Sequence, residues 1–313
     1  MKLLKEITVE VTQKCNSNCL FCSSLSEITS DNEIPLSKLQ EISLFVKNKK
    51  AAGLNISGGE PLLYPELVSY LSFNKQLNLV STIYTSGNAD FKQFFASIHK
   101  TTVSNKDLRF IFNYQSIDCS VFNELTNSTE CFSLNTINEN ISLCLKKGFD
   151  VEVHIVPNSK NISTIYETCS FLKSIGISKV SLLRIVYQGR AEKNKLDLWI
   201  NEKESLPLII EKIKMELCDD FFSIRVGIPY SNLVSLKTPC YAGTGKIIIK
   251  YDGKVFPCEA FKEAPNKDEF VLGDIYVDNL ETICNNNLLA LFGLKSKIKE
   301  SSCETCPAQL LYL

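Results

Sequence analysis

An α/β fold built on a parallel sheet is predicted for this chain by three observations. Short apolar runs recur through roughly the first two thirds, amphipathic stretches of helical period separate them, and glycines stand where helices should end. In order, the strand candidates are Ile7 to Val11, Leu54 to Ser57, Leu79 to Tyr84, Leu108 to Asn113, Val151 to Val156 and Val180 to Val186, all rich in Val, Ile, Leu or aromatic residues. Pro35-Leu36-Ser37 opens the first helix, with Leu36, Leu39, Ile42, Phe45 and Val46 on one face; further helices start near Pro65, Ala89, Leu134 and Ser163. Gly148 and Gly176 follow two of these helices where a left-handed cap residue is expected. Six strand–helix units in succession imply a parallel sheet with helices outside, either open or curled into a partial (β/α)6 barrel. Ligands in such sheets collect at the carboxyl ends of the strands, so the loops there are where chemistry is expected.

Beyond Ala191 the pattern changes. A charged helix from about Glu202 to Leu217, with Leu206, Ile209, Ile210, Ile213 and Leu217 as its apolar stripe, leads into a strand candidate at Ile224 to Ile228. A hairpin follows, Lys246 to Tyr251 and Lys254 to Phe256 around the turn signal Asp252-Gly253. The tail reads as helical around Leu288 to Leu294. The expected organisation is a core domain over 1–200, a connecting helix and strand over 201–235, and a small α+β cysteine-rich domain over 236–313.

A chain of 313 residues buries a sizeable core without disulfides, so its 13 cysteines need another explanation. Met1 to Thr12 contains no uninterrupted apolar stretch and no segment is apolar enough to span a membrane, which predicts a cytoplasmic location. In that reducing compartment cysteine clusters are more often metal ligands or redox groups than disulfides. With only His99 and His154, imidazole-rich metal sites are disfavoured, and sulfur is the expected donor. Net charge is -1 with no block of like charge, so neither nucleic acid nor an anionic membrane is an expected partner.

Cys15, Cys19 and Cys22 form Cys-x3-Cys-x2-Cys in the loop directly after the first strand. Three thiolates on a tight loop can hold three irons of a [4Fe-4S] cluster and leave the fourth iron open. A structural zinc would need a fourth ligand nearby, and neither histidine is close in sequence.

The segment Cys15-Asn16-Ser17-Asn18-Cys19-Leu20-Phe21-Cys22 resembles the signature of the radical S-adenosylmethionine (SAM) enzymes, including the aromatic Phe21 before the last cysteine. Ile56-Ser57-Gly58-Gly59-Glu60-Pro61 after the second strand is similar to that family's Gly-Gly-Glu motif. The resemblance implies that Gly58, Gly59 and Glu60 receive the amino group of SAM. Glycines permit close backbone approach, and a carboxylate accepts hydrogen bonds from an ammonium. Weaker correspondences extend the site to Ser86 in Thr85-Ser86-Gly87-Asn88, to Ser116 in Ser116-Ile117-Asp118, to Asn158 and Asn161, and to Arg184 on the sixth strand. Cys119 stands where the family pattern has glycine. Asn also caps turns and Arg also pairs carboxylates, so each has a structural alternative.

Cys240 and Cys258 bracket the hairpin, and Cys303-x2-Cys306 lies near the end. This looks like the SPASM or twitch extension of radical SAM enzymes, implying one auxiliary [4Fe-4S] cluster on Cys240, Cys258, Cys303 and Cys306. Cys284 is a spare, with packing as its default role. The family resemblance implies reductive cleavage of SAM, fed by a low-potential flavodoxin- or ferredoxin-like donor, and hydrogen-atom abstraction from a peptide or small-molecule substrate. Peptide or natural-product maturation is expected first. The alternatives are a dehydrogenase of a sugar- or aminocyclitol-like metabolite and a non-catalytic iron-sulfur sensor or scaffold; Glu60 beside an intact three-cysteine loop argues against the last.

Overall fold

The computed structural model describes residues 4–51, 53–127, 132–226, 242, 245–264 and 266–290. Strands β1 (Glu6–Glu10), β2 (Gly53–Ser57), β3 (Ser81–Thr85), β4 (Leu108–Asn113), β5 (Asp150–Ile155) and β6 (Lys179–Leu182) lie side by side in chain order, every pair parallel. The helices between them are α1 (Leu36–Lys49), α2 (Leu67–Gln76), α3 (Phe91–Ile98), α4 (Cys119–Thr126), α5 (Phe132–Lys146) and α6 (Ile165–Ser174). This is the partial (β/α)6 barrel. Strand alternation divides its two faces. Ile7 and Val9, Leu54 and Ile56, Phe110 and Phe112, Val151 and Val153, and Val180 and Leu182 enter the main core under the helices. The opposite face carries Thr8, Asn55, Glu152, His154 and Ser181, which the register sets in line as Thr8 beside Asn55 and His154 beside Ser181.

Short helices α7 (Arg190–Lys193) and α8 (Lys195–Leu198) and the long α9 (Glu202–Glu216) precede β7 (Ser223–Val226). Strand β7 pairs parallel with β6, and α9 packs on α6 with Leu206, Ile210, Ile213 and Leu217 buried. The chain then returns to the other edge of the same sheet. Strand β8 (Lys246–Ile249) pairs parallel with β1 and carries the predicted hairpin to β9 (Lys254–Phe256), which pairs with β10 (Gly273–Asp274). Gly253 closes the hairpin turn at φ +84, a backbone angle that favours glycine. Ile248, Phe256, Phe261, Ala264 and Phe270 form a second small core on the Thr8 face, and α10 (Leu280–Ala290) packs on α1.

Several boundaries differ from the sequence reading, for local reasons. Strand β3 starts at Ser81 rather than Leu79 because Asn78 adopts φ +55 and Leu79 N–H bonds back to Asn74 O, closing α2. Strand β6 ends at Leu182, so Arg184 lies beyond it; Leu183 N–H makes a last bond to Ile155 O before the chain departs toward the cysteine loop. Helix α4 has no counterpart in the periodicity reading. It is started by Asp118, whose Oδ1 accepts from the N–H groups of Ser120 (2.8 Å) and Val121 (3.0 Å). The last described helix begins at Leu280, capped by Asn279. Gly148 and Gly176 take φ +76 and +96, as their cap positions predict. Cys119, which stands where the family pattern has glycine, is disulfide-bonded, a departure from the expectation that cysteines in this chain serve as metal ligands or redox groups rather than in disulfides.

Candidate active site

The cysteine loop is anchored where β1 and β2 continue to pair past their ends. Val11 N–H donates to Ser57 O (2.9 Å), Gly59 N–H to Thr12 O (2.7 Å) and Glu60 N–H to Lys14 O (2.8 Å). A Cβ on Gly58 would lie 2.3 Å from Thr12 O, and one on Gly59 would lie 2.1 Å from Lys14 O. The close approach that demands these two glycines is therefore between the Gly-Gly tract and the backbone leading into Cys15.

The loop itself is held from three sides. Cys15 N–H donates to Glu27 O, Leu20 N–H to Leu125 O, and Cys22 N–H to Cys19 O. Arg190 is the main clamp: its Nε donates to Cys19 O (2.9 Å), its Nη1 to Ser26 O (2.8 Å), and its backbone N–H to Cys22 O (2.9 Å). Gly189, at φ +63, permits that approach, since a Cβ there would sit 2.8 Å from Cys22 O. Sequence reasoning gave Arg190 no role. Its only signal was a glycine-arginine pair just after the sixth unit.

Burial, and then the neighbouring Glu60 and Cys22, push the Cys15 thiol up to about 12; Cys19 is also pushed up, by burial first and by Cys22 and Cys15 next, with Arg190 opposing. The three sulfurs thus feel one another, and a buried thiolate set of this kind needs a cationic centre to be stable. Among the described residues no three Cys, His, Asp or Glu side chains converge to hold a single metal ion. The donor set suits a cluster, which takes one thiolate per iron.

Glu60 is fully buried next to this loop. Its Oε1 accepts from Thr85 Oγ1 (2.8 Å) and Leu62 N–H (3.3 Å), and its Oε2 accepts from Ser86 N–H (2.8 Å) and Ser86 Oγ (2.6 Å). Burial raises its pKa, and these donors oppose the rise. Asn16 Nδ2 bonds to Asn88 O, joining the cysteine loop to the turn after β3. A cavity of about 280 Å³ opens here, walled by Cys19 and Phe21 from the cysteine loop, Ser86 and Asn88 after β3, and Asn113 and Gln115 at the end of β4.

The loops after β4 and β5 lock together. Ser116 is fully buried; its hydroxyl meets Thr164 Oγ1 (2.8 Å) and accepts from Asp118 N–H (3.0 Å). Asn158 donates through Nδ2 to Val156 O and accepts Lys160 N–H, while Asn161 Nδ2 donates to Gln115 O and Val156 O. These are turn bonds that fix the rim of the cavity.

At the other sheet edge, Cys258 follows β9, and its thiol donates to Glu259 Oε2 (3.5 Å), which also pairs with Lys246 Nζ at 2.9 Å. Cys240, Cys303 and Cys306 lie outside the described residues. Cys284, on α10, packs against the main core, and burial pushes its thiol up to about 11. One buried triad connects the two regions: Lys262 Nζ binds Glu10 Oε1 and Ser24 Oγ (2.6 Å), and Ser24 Oγ donates to Glu10 Oε1 (2.8 Å). Ser24 stands two residues after Cys22, and Lys262 four after Cys258.

A parallel α/β sheet presenting three coupled thiols at the mouth of its first strand, beside a polar cavity, defines a thiolate-cluster protein of the barrel type. The Radical SAM superfamily profile matches residues 9–186, and the SPASM iron-sulfur cluster-binding domain profile matches residues 240–307. The chain belongs to the radical SAM superfamily and carries a C-terminal SPASM domain; SAM and [4Fe-4S] clusters are its cofactors. It is 22% identical to the GTP 3',8-cyclase of Helicobacter pylori (strain J99) over 286 residues, 87% of this chain and 85% of that protein. It is also 22% identical to the PqqA peptide cyclase of Gluconobacter oxydans over 282 residues, 86% and 75% respectively. Streptococcus suis SuiB bound to precursor peptide SuiA shares the fold with TM-score 0.76 and 17% identity, covering 98% of this chain and 70% of that one. The anSMEcpe structure with bound AdoMet gives 0.65 and 15%, covering 89% and 79%.

Proposed function

We propose that this protein matures a peptide by radical chemistry. Cys15, Cys19 and Cys22 would hold the SAM-binding cluster, with Gly58, Gly59 and Glu60 placing the turn beside it and Phe21 and Ser86 walling the SAM cavity. Ser116 and Asn158 would shape the rim of that cavity, and Arg184 would serve from the segment after β6. Cys240, Cys258, Cys303 and Cys306 would hold one auxiliary cluster. Together with a cluster on Cys15, Cys19 and Cys22 reduced by an external one-electron donor, SAM bound in this cavity would supply hydrogen-atom abstraction from the substrate. The protein's own work is to hold the cysteine loop rigid through Arg190 and the Gly58–Gly59 contact, and to close the site with apolar and amide side chains that exclude water. Thiolate-held clusters and a low-potential donor suit the cytoplasm.

The observation that carries this reading is the cavity shared by Cys19, Phe21 and Ser86, which joins two sequence motifs into one place. A peptide substrate is favoured by the likeness to SuiB, whose structure holds a precursor peptide, and to PqqA peptide cyclase. A second reading, a nucleotide substrate, rests on the GTP 3',8-cyclase relatives. The test is anaerobic incubation of the iron-loaded protein with SAM and dithionite, alone, with GTP, and with any short peptide encoded beside it. Formation of 5'-deoxyadenosine together with a mass change in the peptide is expected. No 5'-deoxyadenosine under any condition would end the enzyme reading, and a mass change in GTP alone would end the peptide one.

A further inference from the structure

We propose that Gln188 is a positioning residue that couples the two iron-sulfur sites, keeping the clamp on the Cys15-to-Cys22 loop in register with the backbone behind Cys258. It lies in the loop between β6 and α7 and is fully buried. One short segment engages both ends of its amide. Nε2 donates to Glu259 O (2.6 Å), and Oε1 accepts from Glu263 N–H (3.1 Å). A carbonyl can only accept and a backbone N–H can only donate, so a side chain that meets both must carry a donor and an acceptor side by side, as an amide does.

From Gln188 the chain runs directly into the clamp. Gly189 turns it at φ +63, and Arg190 opens α7 with its bonds to Cys19 O, Cys22 O and Ser26 O. Asn194, just past α7, adds a bond from Nδ2 to Leu20 O (3.2 Å). All four acceptors are backbone carbonyls of the cysteine loop or of the residues just after it. The segment behind Cys258 also reaches this region by a second route, because Lys262 binds Glu10 and Ser24. A displacement of the backbone at Glu259 is therefore delivered to the carbonyls of Cys19 and Cys22 through buried hydrogen bonds. Losing a partner that orients metal ligands in this way weakens a site roughly 10–100-fold.

This inference rests on the proposed reading of the two cluster sites. Equilibrium SAM binding and electron paramagnetic resonance (EPR) of the dithionite-reduced, iron-loaded protein test it without turnover. Gln188→Met fills similar space and removes both bonds; Gln188→Glu keeps the acceptor for Glu263 N–H but sets an oxygen against Glu259 O. Both variants should bind SAM about tenfold more weakly and change the EPR signal that SAM induces, at wild-type iron content. Cys258→Ala should weaken SAM binding about fivefold in the otherwise wild-type protein, and by less than about twofold when Gln188 is already Met. Urea midpoints report folding separately. A lower midpoint with SAM affinity and EPR signal unchanged would make Gln188 merely structural and overturn the proposal. So would a Cys258→Ala effect of the same size with and without Gln188, which would route the coupling elsewhere. Wild-type protein that binds no SAM, or holds iron for a single cluster, would instead overturn the reading of the sites.

Discussion

The carboxylate of Glu60 is gripped twice by Ser86, whose backbone N–H and hydroxyl both donate to Oε2 at 2.8 and 2.6 Å. The motif glutamate at the end of β2 is thereby latched to the turn after β3, and that turn is one wall of the cavity. Each carboxylate oxygen accepts from a backbone N–H, so in Glu60→Gln the amide NH2 must face either Ser86 N–H or, turned over, Leu62 N–H, and a donor meets a donor in both orientations. A loss of roughly 1–3 kcal/mol in stability is expected, read as a lower urea midpoint, together with weaker SAM binding. An unchanged midpoint would show that the latch contributes nothing.

Gly59→Ala should detach the cysteine loop. The added Cβ would meet Lys14 O at 2.1 Å, a backbone atom with nowhere to yield. Gly53→Ala is the control, because nothing lies within 4 Å of its Cβ. Far-UV circular dichroism should stay near wild type in both, while iron incorporation falls in Gly59→Ala only. Equal iron in the two variants would contradict the packing argument.

Glu10 and Lys262 are 1% and 4% exposed and bind each other between the cysteine loop and the segment after Cys258. Removing one partner of such a pair strands a buried charge and is expected to destabilise by roughly 3–5 kcal/mol. Lys262→Met and Glu10→Gln should each show this in urea unfolding, and the double variant should lose less than the sum. Simple additivity would mean that the two side chains do not interact.

Cys19→Ala should abolish SAM cleavage. Cys303→Ala should lower iron by one cluster and impair substrate turnover while SAM still binds. Equal iron loading in Cys303→Ala and wild type would rule out the auxiliary-cluster assignment.

Acid should weaken the fold through β5. His154 is held below its ordinary value of 6.5, chiefly by burial and despite its bond to Glu152. Below about pH 6.5 the unfolded chain takes a proton that the folded chain refuses, so stability falls as pH falls. Burial opposes ionisation of Glu152, but hydrogen bonds from His154, Ser181 and Lys179 hold its carboxyl below the usual range. Its contribution is complete above about 4.5 and is lost as pH drops through the folded-state value. Urea midpoints should therefore decline from pH 7 to 5 and further below 4.5. His154→Gln should flatten the upper part; a slope between pH 5 and 7 unaffected by that change would exclude His154 as its source.

Much of this was legible in the chain. The strand and helix periods, the two cap glycines and the Cys15-Cys19-Cys22 spacing are local signals, set by backbone sterics and ligand geometry within a few residues. Their boundaries were less so, because the end of β6 depends on where its partner β5 stops offering carbonyls.

The sequence by itself determined the parallel α/β class, the place of the cysteine loop after the first strand, and the pairing of that loop with a Gly-Gly-Glu turn one unit later. Only the tertiary structure decided what those glycines approach, which arginine clamps the loop, and which glutamine ties that clamp to the segment behind Cys258. The reason is physical. Periodicity and spacing record what a residue does along the chain, whereas close approach, burial and side-chain bridges are made by residues tens to hundreds of positions apart. Gly59 against Lys14, Arg190 against Cys19, and Lys262 against Glu10 are all contacts of that second kind.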